Sequence, residues 1–151
     1  MKSSYLDIFE FDDAVSRIDF GLVQKWLTET YWSPGIGIDE VKRGAFHSTL
    51  VVGCYMGLTQ VGYMRLVSDK TRFGYIMDVY VSERFRKKGI AQNIVEFAIN
   101  NPELRDVYIW LLGTRDGHSV YSKIGFKPLP APENWMILKK PTPIHGINRL
   151  T

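Results

Sequence analysis

Between Tyr75 and Ile99 the chain changes period in mid-run, and this limits what it can fold into. Ile76, Val79, Tyr80 and Val81 are β-branched or aromatic and read as a strand. Arg84, Arg86, Lys87 and Lys88 form a short basic segment that ends at Gly89. After it, Ile90, Ala91, Ile94, Val95 and Ala98 fall on one face of a helix, which Asn100-Asn101-Pro102 stops. A strand that turns through a glycine into a helix start is a place to hold phosphate. The first N–H groups of a helix lack internal partners, and the dipole there is positive. Gly89 carries no Cβ to keep a ligand off the backbone. The amides of residues 87–92 are therefore expected to hold a pyrophosphate, with the basic side chains adding charge. A solvated turn and a nucleic-acid patch are the competing readings. Nucleic-acid surfaces spread charge among stacking aromatics, and here Phe85 alone is interleaved, so the phosphate cradle is preferred.

The flanking segments indicate an α+β class. Residues 5–11 alternate loosely as a first strand. Asp19 is placed to cap a helix carrying Leu22, Val23, Trp26 and Leu27 that ends near Thr30. A loop with Tyr31, Trp32, Pro34 and two glycines follows, and Asp39 is placed to cap a second helix with Val41, Ala45 and Phe46 inward. Residues 49–56 and 61–67 read as a hairpin, and 73–81 follows a polar turn. Residues 107–112 are apolar enough for a strand buried on both faces. Asp116 is placed to cap a short helix, and Phe126 with residues 135–138 is expected to close the sheet. Sequential strands imply an antiparallel part; the crossover helix implies a parallel pair.

The length, 151 residues, suits one core, taken as a domain over 1–139 and an irregular tail over 140–151. A net charge of +3 is too mild to imply bulk binding to nucleic acid. Cys54 is the sole cysteine, so no intrachain disulfide forms, and as a strand position it reads as a small core residue rather than a nucleophile. His47, His118 and His145 lack metal-ligand spacing, and no metal is expected. The first residues do not read as a leader, and no apolar run is long enough to span a membrane; the simplest compartment is the cytoplasm.

The P-loop and dinucleotide fingerprints are absent. Arg86-Lys-Lys-Gly89-Ile-Ala91 resembles the [RQ]-x-x-G-x-[GA] acetyl-CoA loop of the GNAT acyltransferase superfamily. Val120-Tyr121-Ser-Lys-Ile124-Gly125-Phe126 resembles the L-Y-x-x-x-G-F signature near the end of those domains. The resemblance covers about residues 49–138, and Phe85 and Arg86 fit a P-x-[YF]-R pattern before the loop. It implies a mixed, mostly antiparallel sheet flanked by helices, with central strands splayed around a pantetheine arm. It implies acetyl-CoA as acyl donor, held by Val79, Val81, Arg86, Lys87, Lys88, Gly89, Ile90, Ala91 and Gln92. Thr114 stands where many relatives carry a cofactor-touching Asn and is counted with them; Gly117 departs from their usual Ala.

The implied reaction is direct attack of an amine on the thioester in a ternary complex. The amine must lose a proton, the carbonyl must be polarised, and the thiolate should be protonated as it leaves. A backbone N–H near Val79 could meet the oxyanion. By its motif position Tyr121 is the candidate general acid. Asp78 is the candidate base, or else a structural carboxylate bonded to amides or an arginine. His118 lies three residues before Tyr121, as a proton relay or a capping residue. Tyr31, Trp32 and Ser33 fall in the loop that commonly lines the acceptor pocket, or else Trp32 anchors that loop to the core. The expected acceptor is a small-molecule or peptide amine. Transfer of a longer acyl group, a CoA-binding regulator without turnover, and a homodimer built on exposed aromatics or the tail stay open.

Overall fold

The structure, a computed structural model, describes residues 6–142. Five strands, β1 (Phe9–Asp12), β2 (Leu50–Met56), β3 (Thr59–Ser68), β4 (Phe73–Val81) and β5 (Ile109–Leu112), form one sheet in that spatial order. The first four are antiparallel neighbours; β4 and β5 are parallel, joined by the crossover helix α3 (Ile90–Ile99). Helices α1 (Phe20–Leu27) and α2 (Ile38–Phe46) precede the hairpin, and the short α4 (His118–Ser122) follows β5. This is the mixed, mostly antiparallel α+β sheet expected of the motifs.

Alternation along the strands makes two cores. On one side Ile90, Ile94, Val95 and Ala98 of α3 pack with Val52, Cys54, Met64 and Leu66. On the other, Val23, Leu27, Val41 and Ala45 of α1 and α2 pack with Val51 and Tyr63. Burial pushes the Cys54 thiol up to about 12, so it stays a thiol and a core residue.

Several local expectations are corrected. Asp19 does cap α1, accepting from the Leu22 N–H at 3.1 Å, but the helix stops at Leu27. There the Thr30 and Ser33 hydroxyls both donate to the Leu27 carbonyl, at 2.8 and 2.9 Å. Gly37, not Asp39, is the N-cap of α2, and Gly117, not Asp116, that of α4. Strand β5 is not buried on both faces: it is an edge, with Ile109 42% exposed. Phe126 and residues 135–138 do not close this sheet. Trp135, Met136, Ile137 and Leu138 are 51%, 98%, 87% and 87% exposed and lie outside any strand. Among the described residues no helix is long and apolar enough to cross a membrane.

Candidate active site

The turn between β4 and α3 curls tightly. Lys87 and Gly89 both take left-handed backbone, at φ 64° and 82°. Helix α3 starts with no side-chain cap, so its first amides stay open to a ligand. Arg86 braces the approach: its Nε donates to the Val81 carbonyl at 2.9 Å, and its guanidinium lies 5.1 Å from the centre of the Tyr80 ring. Phe85 anchors the turn edge-on against Phe9. A cleft of about 590 Å³ opens here, lined by Val79, Val81, Arg86, Lys87, Gly89, Ile90, Ala91 and Gln92. These residues fit a pyrophosphate-bearing group: open helix-start amides, a glycine without a Cβ and cationic side chains converge on one cleft. Lys88 does not line it.

Beyond the cradle the sheet comes apart. Strands β4 and β5 pair only from Phe73 with Ile109 to Ile76 with Leu112. Strand β4 runs on to Val81 while β5 stops, and a second cavity of about 380 Å³ lies between residues 75–79 and 112–114. The expected splay is therefore present. It coincides with a bulge: between the Tyr63–Tyr80 and Arg65–Met77 pairs, Asp78 and Val79 have no register partner on β3. Asp78 takes φ 55°, costly for a side chain with a Cβ, and its contacts hold it there. Arg65 Nε donates to Asp78 Oδ2 at 2.7 Å, and Trp32 Nε1 donates to Oδ1 at 2.9 Å. The Asp78 side chain is 11% exposed and that of Arg65 19%, so the ion pair is largely shielded from water. Asp78 thus both bonds an arginine and pins the aromatic loop.

Tyr121 borders both cavities, as do Tyr31, Trp32, Val79 and Asp116. Its ring meets Phe126 edge-on, and no described residue hydrogen-bonds its hydroxyl. Burial, helped by the negative charge of Asp116, pushes this phenol up to about 12. It is therefore held neutral and able to donate.

The loop that follows α1 forms the opposite wall. Tyr31 and Trp32 meet edge to face at 5.0 Å between ring centres. The Arg115 N–H donates to the Tyr31 hydroxyl at 3.1 Å, and the Arg115 guanidinium lies 3.9 Å from the centre of that ring. Ser33 does not face the cavities. Its hydroxyl serves the loop itself, donating to the Leu27 carbonyl and lying 2.9 Å from Thr30 Oγ1. Thr114 lines the strand gap rather than the cradle, and its Oγ1 accepts from the Gly117 N–H at 2.8 Å. That bond is why Asp116 is not needed as a cap. His118 opens α4, is exposed and lines neither cavity. His145 lies outside the described residues, and no group of metal-ligating side chains occurs among those described.

Residues missed from the sequence also frame the site. Glu29, exposed, lines the cleft, and Trp26 lines it while stacking on Tyr80 at 5.2 Å; Asp116, read from the sequence as a cap rather than a substrate ligand, lines it too. Arg65 reaches Asp78 from the neighbouring strand. Glu29 and Trp26 carried a faint signal, since they precede the aromatic loop; Arg65 carried none.

Comparison with known proteins agrees with this geometry. No functionally curated protein matches the sequence. In structure the chain is similar to a protein from Xanthomonas campestris pv. campestris assigned to the GNAT acetyltransferase family. That match has a TM-score of 0.82 and 29% identity, covering 88% of this chain and 94% of the other. A Clostridium acetobutylicum acetyltransferase structure that contains acetyl-CoA superposes with a TM-score of 0.64 at 18% identity, over 87% and 96% of the two chains. Glucosamine-6-phosphate N-acetyltransferase from Arabidopsis thaliana does so at 0.64 and 17%, over 87% and 97%. These two likenesses are of fold. The Acetyltransferase (GNAT) domain description matches residues 48–128, which hold the cradle, the splayed strands and Tyr121, and the chain belongs to the GNAT acetyltransferase family.

Proposed function

We propose that this protein is an N-acetyltransferase that moves the acetyl group of acetyl-CoA to an amine by direct attack in a ternary complex. The observation that carries this reading is the Tyr121 side chain at the meeting of the phosphate cleft and the strand gap. Acetyl-CoA, when bound, supplies the activated thioester, with its pyrophosphate on the amides of residues 87–92. The amine nitrogen bonds the acetyl carbon and the C–S bond breaks. The Val79 N–H at the bulge steadies the oxygen as it gains charge. Tyr121 gives its proton to the departing sulfur. The amine proton passes to Asp78, directly or through a water; each Asp78 oxygen accepts one hydrogen bond and keeps a lone pair for it.

Trp32 lines the cleft, Arg115 already covers one face of the Tyr31 ring, and the exposed Glu29 and Asp116 add negative charge there. That combination favours a cationic amine, free or on a peptide, over an acidic one. The test is a thermal-shift titration with acetyl-CoA, longer acyl-CoAs and ATP, followed by CoA release with a panel of amines. A ligand at 100 times its Kd adds about 2.7 kcal/mol, or roughly 5–10 °C in Tm for a domain of this size. A shift with acetyl-CoA and CoA release with an amine support the reading. A larger shift with longer acyl chains changes the donor. Binding without release on any amine would make the protein a CoA-responsive regulator. No shift with any CoA would remove the cradle assignment.

A further inference from the structure

Tyr121 rides on α4, a helix of barely more than one turn, so its placement depends on how the chain enters that helix. The entry residue is Gly117, at φ −97° and ψ 12°. Residues with a side chain take that backbone in ordinary turns, so conformational freedom does not explain the glycine. The glycine supplies space instead. A Cβ at Gly117 would stand 2.8 Å from Thr114 Oγ1, 3.1 Å from Tyr121 Cε2 and 3.6 Å from Tyr121 Cδ2. Carbon atoms in contact settle at about 3.5–4.0 Å. The near edge of the Tyr121 ring is inside that distance and Thr114 is closer still, so one neighbour would have to yield.

The turn before α4 is tied down at each residue. Thr114 Oγ1 accepts from the Gly117 N–H at 2.8 Å, which draws that oxygen onto the glycine. The Arg115 N–H donates to the Tyr31 hydroxyl at 3.1 Å, and its guanidinium covers the Tyr31 ring. The Gly117 carbonyl accepts from the N–H groups of Val120 and Tyr121 at 3.0 and 3.2 Å. The backbone of Tyr121 is thereby fixed to the same glycine. The Tyr121 ring is held more loosely, by an edge-on contact with Phe126 at 6.2 Å between centres. It can swing about its own torsions, so the ring yields before the turn does.

From these contacts we infer that Gly117 is a positioning residue for Tyr121. Its missing side chain, on a turn that Thr114 fixes, lets the ring lean against the entrance of α4. That sets the phenol where the cleft and the strand gap meet. The inference rests on the reading of Tyr121 as proton donor in acetyl transfer. The hydroxyl stands at the far end of the ring, so a push at Cε2 is carried to the donor atom. Donation to sulfur needs the two atoms in hydrogen-bond reach, and a misplacement of about 1 Å can cost about 10² in rate.

Crystal structures and CoA release test it, using acetyl-CoA and the amine of the panel that turns over fastest. The variants are Gly117→Ala, Tyr121→Phe and the two combined. Gly117 belongs to neither core, so folding is retained. Gly117→Ser adds the same Cβ with a hydroxyl able to cap α4, and so separates crowding from loss of helix. Both single variants at Gly117 are expected to lower kcat about tenfold, with the acetyl-CoA KM and thermal shift of the wild type. The Tyr121 ring should stand displaced from the helix entrance. In the Tyr121→Phe background the donor is gone, so the added Cβ should bring no second tenfold loss. An equal loss in both backgrounds would mean that the glycine acts on something other than the phenol, and would overturn the inference. So would a Gly117→Ala enzyme as fast as wild type, a defect confined to the acetyl-CoA KM, or a structure in which Thr114 turns away and the ring stays. A wild type that turns over no amine, or a Tyr121→Phe enzyme as fast as wild type, would instead remove the underlying reading and the inference with it.

Discussion

Tyr121 combines a position that the sequence marks with a protonation state that only burial creates. Its phenol is raised to about 12, by loss of water first and the Asp116 charge second. Across neutral and mildly alkaline pH it remains the neutral donor. Tyr121→Phe is expected to lower kcat by about 10²- to 10⁴-fold, the usual worth of a positioned acid. The acetyl-CoA thermal shift should stay the same, and an unchanged kcat across pH would remove Tyr121 from the chemistry. The wild-type rate should show no alkaline loss from this group until pH approaches 12. Asp78 presents the opposite balance. Its charge pairs with Arg65, and its other oxygen holds Trp32. Asp78→Asn leaves the shielded guanidinium without its counter-charge and is expected to cost about 1–3 kcal/mol, read as a lower denaturant midpoint at constant m. The KM for the amine should rise more than that for acetyl-CoA, because the aromatic loop loosens. Tyr121 was legible because its motif is local. The partner of Asp78 was not, because Arg65 lies thirteen residues away across a strand pair.

Elements were legible where a local pattern met no competitor. The period switch at Gly89 placed β4 and α3 within a residue or two, since burial on both sides of the turn follows the same pattern. Helix caps were less legible. Thr114 reaches the Gly117 N–H before Asp116 can act, and Gly37 precedes Asp39 as the turn into α2. The cradle depends on Gly89 at φ 82°. Gly89→Ala puts a Cβ into left-handed backbone and is expected to cost about 1 kcal/mol or more. It should also weaken acetyl-CoA, seen as a smaller thermal shift at equal ligand. If stability falls but the shift is retained, the amides of this turn do not hold the pyrophosphate.

At the scale of the whole molecule, two cores on one sheet bury tyrosines as well as aliphatic side chains. Burial raises Tyr55 and Tyr121 to about 12 and Tyr63 higher still. In the unfolded chain these phenols ionise near 10, their ordinary value. The folded form therefore binds protons more tightly, and its advantage is whole below pH 10 and lost as pH rises through 12. Melting temperature should fall steeply over that window, and replacing Tyr55 with Phe should shrink the slope. A Tm flat to pH 12 would contradict the burial of these rings. The sequence by itself determined what depends on neighbours in the chain: a strand, a glycine turn and a helix start whose open amides fit a phosphate, and a tyrosine on the motif that follows. Backbone preference and side-chain period act over a few residues, so those features could be read directly. Tertiary structure decided what depends on residues far apart. It opened the gap beyond Ile76 and Leu112, bulged β4 at Asp78, brought Tyr31 and Trp32 over Tyr121 and left β5 and residues 135–138 uncovered. Each of these follows from which surfaces found partners once the chain had closed on itself, and no local pattern encodes that competition.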